Sequence, residues 1–235
     1  MNVVLLVSGG KGLRMGSLIP KQYIKIDSQM IITRCLLNLL SHNALNAFQI
    51  VAEEKWRKII IDELKRIDCP IEKIKGFSNP GKNRQLSIFN GLKDIHQYAN
   101  TEDVVIIHDA VRPLVSHEQI SKSLLAIQGH EGVMPSLPMK DTVYLSKDGK
   151  NVDKLLDRSQ IFAGQAPEFF KFEKYFEANK RLFPKKILTI NGSTEPAVLA
   201  DMDIVMIEGD EGNFKITTPG DLNRYKEIVE RNKHL

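Results

Sequence analysis

Val3-Val4-Leu5-Leu6-Val7 runs directly into Ser8-Gly9-Gly10-Lys11-Gly12-Leu13-Arg14-Met15-Gly16. The five apolar residues show no polar alternation, the pattern of a strand buried on both faces, and such strands belong to parallel sheets covered by helices. The turn that follows is rich in glycine, which is needed where backbone N–H groups must close on phosphate oxygens with no Cβ in the way. Arg14 in the turn and Lys21 beyond it offer two cations to the same anion. A Walker A loop is excluded, because no G-x-x-x-x-G-K-[ST] string occurs. Gly10-x-Gly12-x-x-x-Gly16 is a loosened dinucleotide fingerprint. That fold wants an acid about 20 residues on, at the end of its second strand. Glu53 and Glu54 lie farther away and open a helix. A purely structural turn is the third reading.

Outward from this point the chain alternates. Met30 to Leu40 has helical character, Phe48 to Ala52 reads as a second strand, and Trp56 to Ile67 carries apolar residues at helical spacing. Ile71 to Lys75 reads as a third strand, Gln85 to Tyr98 as a helix, and Val104 to His108 as a central strand ending in Asp109. Ser116 caps a helix from His117 to Gln128, and Gly132-Val133-Met134 opens a further strand. A strand at Ile204 to Glu208 and a helix from about Pro219 to Arg231 close the chain. The order predicts one α/β domain over residues 1–235, with a mostly parallel twisted sheet and flanking helices. In such sheets ligands sit beyond the carboxyl ends of the strands, where the loops after Val7 and His108 both fall.

Residues 141–162 depart from the alternation. Thr142 to Ser146 and Asn151 to Asp153 flank Lys147-Asp148-Gly149-Lys150, and Asp-Gly between β-rich runs signals a hairpin. The segment reads as an arm protruding from the core, either docking on a partner subunit or lying as a plain surface hairpin. Lone Trp56 and the pair Phe169-Phe170 read as packing rather than base stacking.

Composition excludes several classes. With 42% hydrophobic and 26% charged residues the 235-residue chain is globular rather than disordered. A net charge of +4, spread along the chain, gives no nucleic-acid tract but suits anionic substrates. Cys35 and Cys69 are far apart, which argues against zinc and disulfides and for free thiols in a reducing cytoplasm. No signal peptide is expected, and no run reaches the ~20 apolar residues that span a bilayer.

Pro20-Lys21-Gln22-Tyr23 follows the first turn at a fixed distance. The combined string G-G-x-G-x-R-M-G-x₃-P-K-Q-Y resembles the start of the IspD/TarI cytidylyltransferases, which act on 2-C-methyl-D-erythritol 4-phosphate or ribitol 5-phosphate. Gly81-Lys82-Asn83-Arg84-Gln85-Leu86-Ser87 with Asn90-Gly91-Leu92, His108 to Pro113, Asp141-Thr142 and Asn213 to Thr217 resemble later family segments in order. The resemblance implies a Rossmann-like nucleotidyltransferase fold and transfer of CMP from CTP to a small phosphorylated polyol. It also implies Mg²⁺ held mainly by the CTP phosphates, and a homodimer made through the arm. Nucleic acid and membrane are not expected partners.

By the same resemblance, Ser8, Gly9, Gly10 and Gly12 bind the nucleotide, Gly81 and Ser87 hold its cytosine and ribose end, and Asp109 holds the ribose or orients the metal-bound phosphates. Arg14 and Lys21 face the triphosphate, and Lys215 approaches the α-phosphate. Arg112, Thr142 and Thr194 meet the acceptor, and Arg158 reaches it from the neighbouring subunit. Each has a plainer reading, as surface charge, ion pair, helix cap or β-former. The chain departs from the family at Ala166 and Glu168 in Gln165-Ala166-Pro167-Glu168, at Glu195 and Pro196, at Lys82 and at Tyr144. These changes gather on the acceptor side and in one nucleotide loop, so the acceptor stays open, with Gly164 leaning towards the ribitol branch. A non-catalytic nucleotide-binding paralogue, a transferase for another phosphorylated alcohol and a Rossmann oxidoreductase are the rival readings.

Overall fold

The structure is a computed structural model that describes residues 1–10 and 19–232. In chain order it runs β1 (Asn2–Val7), β2 (Lys25–Ile26), β3 (Gln29–Met30), α1 (Ile31–Leu40), β4 (Ala47–Val51), α2 (Glu54–Lys65), β5 (Ile74–Ser78), α3 (Arg84–Ile95), β6 (Val104–Asp109) and α4 (His117–Ala126). It continues with β7 (Gly132–Pro138), β8 (Val143–Leu145), β9 (Lys154–Leu156), β10 (Phe162–Gly164), β11 (Glu168–Lys171), α5 (Phe172–Leu182), α6 (Glu195–Leu199), β12 (Ile204–Glu208) and α7 (Pro219–Arg231). Among the described residues the main sheet has eight strands. Pairings β1–β4, β1–β6, β4–β5 and β7–β12 are parallel.

β1 sits in the middle and explains the layering. Val4 and Leu6 face a core shared with residues of α1, α2 and α4, while Val3 and Leu5 face one shared with α3 and α5. Successive side chains point to opposite sides of a strand, so an unbroken apolar run needs helices on both. Gly91 of α3 lies so close to Leu5 that any Cβ there would overlap it, which draws that helix tightly onto the strand.

The structure corrects the sequence reading in four places. Residues 71–73 form a 3-10 turn after Pro70, and the strand starts at Ile74; Ile71 and Ile74, three apart, fit that tighter turn. β11 is antiparallel between β6 and β7, because the chain returning from the arm doubles back into the sheet. β10 rejoins the main sheet beside β7, so the excursion ends at about residue 161. In the arm, pairing resumes at Lys154 rather than Asn151. There the Asp148 carboxylate accepts the N–H groups of Lys150 and Asn151, and that of Asp153 accepts Lys147 N–H, which holds the intervening residues as a loop. Trp56 and Phe169-Phe170 do pack: Trp56 stacks on Tyr23 with centroids 4.0 Å apart, and both phenylalanines are buried. Among the described residues no helix is long and apolar enough to cross a membrane.

Candidate active site

β1 and β6 lie side by side and end together, with Val7 opposite Asp109. The loops that leave these two ends form the floor of the site. Buried Ser8 is anchored twice to the Val51 carbonyl, by its N–H at 3.0 Å and its hydroxyl at 2.5 Å. The Gln22 amide donates to the Ser8 carbonyl at 2.5 Å and to the Gly10 carbonyl at 2.8 Å. Gln22 thus clamps the start of the first loop from the short turn Lys21–Tyr23, and Lys21 opens that turn. A Cβ on Gly9 would lie 2.6 Å from the Pro80 Cβ, so this loop is pressed against the one that precedes α3.

The loop before α3 is shaped by its own hydrogen bonds. Gly81 N–H donates to the Ser87 hydroxyl at 2.9 Å, that hydroxyl donates to the Asn83 carbonyl at 2.8 Å, and the Asn83 side chain caps α3 by accepting Leu86 N–H at 2.8 Å. The cap directs Arg84 inward. Arg84 Nε and Nη2 both donate to Asp109 Oδ1 at 3.1 Å, and Lys215 Nζ lies 2.9 Å from Asp109 Oδ2. Arg112 Nε stands 3.7 Å from the same Oδ2, while its Nη1 donates to the Asn213 carbonyl at 2.6 Å. The Asn213 amide in turn donates to the Ala166 carbonyl at 2.8 Å.

Burial alone would push the Asp109 carboxyl up, but Arg84, Lys215 and Arg112 outweigh it and hold it well below the usual carboxylate range. His108 is pushed down to about 4 by burial and stays neutral, with Nε2 bonded to the Arg112 carbonyl at 3.0 Å. Burial, reinforced by Asp109, raises the Cys35 thiol far above neutrality, so it is no nucleophile. Three partly exposed cations against one buried, ionised carboxylate leave an excess of positive charge at the strand ends. Such a surface is fitted to polyphosphate.

A second buried carboxyl completes the wall. Glu168 opens β11 directly after the cis Ala166–Pro167 bond. It accepts the Ser193 hydroxyl in a short hydrogen bond and the Thr194 hydroxyl at 3.1 Å, just before α6. Burial pushes it up to about 7; Arg84 pulls it back, and Asp109 pushes it further up. The two carboxyls of one wall are therefore unlike: one is ionised throughout the working range, the other titrates within it.

The expected site residues fall into groups. Asp109, Lys215 and Arg112 are brought together, and Ser8, Gly9 and Gly10 face Gly81 and Ser87 across the Gly9–Pro80 contact. The Ser87 hydroxyl is engaged with the loop backbone. Thr194 belongs to the Glu168 wall. Thr142 and Arg158 lie exposed on the arm, where Arg158 Nη1 donates to the Lys140 carbonyl at 2.7 Å; within one chain Arg158 is not part of the Asp109 cluster. Gly12 and Arg14 lie outside the described residues. Sequence reasoning gave no role to Arg84, Gln22 or Glu168. Arg84 was within reach of it, standing three residues after Gly81 in a quoted motif, whereas Glu168 showed only as a departure.

A family profile described as 2-C-methyl-D-erythritol 4-phosphate cytidylyltransferase matches residues 2–231. The chain belongs to this family. It is therefore a cytidylyltransferase, one of the nucleotidyltransferases. This cytidylyltransferase is 28% identical to a ribitol-5-phosphate cytidylyltransferase of Streptococcus agalactiae, over 98% of the chain and 96% of the relative. It is 29% identical to a 2-C-methyl-D-erythritol 4-phosphate cytidylyltransferase of Alkaliphilus oremlandii, over 97% of the chain and 94% of the relative. Its fold matches the crystal structure of a Francisella tularensis 2-C-methyl-D-erythritol 4-phosphate cytidylyltransferase with a TM-score of 0.80, at 22% identity over 96% of this chain and 98% of that one.

Proposed function

We propose that this cytidylyltransferase moves the CMP unit of CTP onto the phosphate of a small phosphorylated polyol, with the triphosphate lying between the first loop and the Asp109 cluster. An oxygen of the acceptor phosphate attacks the α-phosphorus, the bond from that phosphorus to the bridging oxygen breaks, and pyrophosphate leaves. The chemistry asks for alignment of two anions and neutralisation of charge rather than a protein nucleophile. The observation that carries this reading is the Arg84, Arg112 and Lys215 cluster around Asp109, beside the end of β1 that leads into the first loop, in a chain of this family.

Gly9, Gly10 and Gly12 would give backbone to the nucleotide and Gly81 would shape its base end. Arg14, Lys21 and Lys215 would stabilise the charge that builds at the α-phosphorus. Asp109, held by its three cations, would orient the ribose and phosphates. Among the described residues no group of three or more His, Cys, Asp or Glu could cage a metal. A Mg²⁺ at this site would keep several waters and take most of its ligands from the CTP phosphates. When bound, the ion would supply charge neutralisation across those phosphates.

Arg112 and Thr194 would bound the acceptor, with Thr142 and Arg158 contributed by the arm of a second copy. The arm exposes Tyr144 (55%), Val152 (67%) and Leu155 (58%), and a lone two-stranded hairpin is marginal in water. Docking on a partner subunit in a homodimer would cover these side chains. The enzyme would work in the cytoplasm, where Cys35 and Cys69 stay reduced.

Ribitol 5-phosphate is the first acceptor to test, because the S. agalactiae relative carries that name and the family departures gather near Ala166, Glu168 and Pro196. Isoprenoid precursor synthesis is the context implied by the other acceptor. Pyrophosphate release should require CTP and one of the two polyol phosphates, and UTP and ATP should serve poorly. Lys21→Ala and Lys215→Ala should each lower kcat by about 10²-fold or more. Zero rates with both acceptors would remove the two named substrates and leave a transferase for another phosphorylated alcohol or a nucleotide-binding paralogue.

A further inference from the structure

The acceptor wall contains an ionisable group that the proposed chemistry does not use. Glu168 is 8% exposed and stands where the family pattern has glutamine. Its oxygens accept the hydroxyls of Ser193 and Thr194. The Ser193 carbonyl is held from the other side by the Tyr175 hydroxyl at 2.7 Å, and Tyr175 is met by the Gln85 amide at 3.4 Å. The turn before α6 is therefore fixed between α3, α5 and β11. The charged and titratable groups that face Glu168 are Arg84 from α3, Asp109 at the end of β6, Arg112 beyond it and Tyr175 from α5. Asp109 already engages both arginines, so a second negative charge beside them reduces the field left for a phosphate.

We propose that Glu168 tunes the acceptor subsite: its carboxyl pins the Ser193–Thr194 turn and offsets part of the charge of Arg84 and Arg112, so that its protonation state sets how strongly that side of the cleft holds a phosphorylated acceptor. Glu168 is a positioning residue, acting through Thr194 and the arginines. The inference rests on the proposed polyol phosphate chemistry. Ionised, Glu168 accepts both hydroxyls and opposes the acceptor's phosphate. Protonated, it leaves the arginines free to bind that phosphate. A glutamine keeps the size and an acceptor oxygen but cannot ionise.

The test compares the full-length enzyme with Glu168→Gln from pH 5.5 to 8.5, varying ribitol 5-phosphate at saturating CTP. The acceptor titrates identically in both assays, so the ratio of the two acceptor KM values isolates Glu168. The expected result is a wild-type to variant ratio that rises about tenfold between pH 6 and pH 8, with the KM for CTP changing far less. A ratio constant with pH would overturn the proposal. If the wild type turns over no polyol phosphate, the functional reading fails separately. The Glu168 proposal is then decided by calorimetric binding of inorganic phosphate, which Glu168→Gln should hold more tightly than wild type at pH 8. Equal affinities there would overturn it. A variant that fails to fold shifts the weight to wild-type binding of inorganic sulfate, whose charge is constant over this range: affinity that does not fall through about pH 7 contradicts the proposal.

Discussion

The strand ends around Asp109 and the arm at residues 143–156 solve opposite problems. At the strand ends, two carboxyls are buried and each is met by groups of the same chain: Asp109 by the partly exposed Arg84, Lys215 and Arg112, and Glu168 by Ser193 and Thr194. In the arm, apolar side chains are exposed, and its strands are joined by the three-residue pairing of β8 with β9 and by the bonds between Asp153 and residues 145 and 147. A region whose interactions close within one chain should report damage as loss of folding stability. A region that leaves apolar surface open should report it only in assembly and in whatever the assembly completes.

The difference can be broken most forcefully at Asp109. Asp109→Ala would remove the buried counter-ion shared by three partly exposed cations, and we expect a loss of about 3 kcal/mol in denaturant unfolding along with activity. A loss below about 1 kcal/mol would mean that the cluster is solvated and the comparison false. The next largest effect concerns Glu168. Its folded pKa is raised to about 7 from an unfolded value near 4.5, so the folded state holds the extra proton between those limits. Its contribution is present at pH 4.5 and below and is lost as pH rises to about 7, by roughly 3 kcal/mol at most. Glu168→Gln should remove that slope and leave the variant more stable than wild type at pH 8, by chemical denaturation at several pH values. Parallel stability curves would contradict it.

Gln22→Ala should cost about 1–3 kcal/mol, because two buried carbonyls, those of Ser8 and Gly10, lose their donor. It should also raise the KM for CTP more than that for the acceptor. The arm gives the smallest folding effect. Leu155→Glu should change unfolding free energy by less than about 0.5 kcal/mol, since the side chain is already exposed. In light scattering, however, it should convert a dimer into a monomer. A monomeric wild type at micromolar concentration would remove the dimer from the account.

The same contrast governs how much could be read beforehand. The doubly covered sheet was legible because Val3 to Val7 and Val104 to Ile107 carry unbroken apolar runs, and α7 because Thr218 and Asp221 form a capping box. β11 escaped notice because Phe169 and Phe170 are a short apolar pair whose antiparallel placement depends on the path back from the arm. Asp109 and Lys215 were legible as motif residues, but their meeting is a matter of tertiary structure across more than a hundred residues. Glu168 was visible only as a departure, since its neighbours Arg84 and Thr194 come from distant segments.

The central claim is that CTP lies between the first loop and the Asp109 cluster. A crystal structure with CTP and Mg²⁺ tests it most directly. The account predicts phosphates against Gly9, Gly10 and Lys21, with the α-phosphate beside Lys215. Nucleotide bound elsewhere, for example in the groove between α1 and α7 lined by Arg34 and Tyr225, would contradict it.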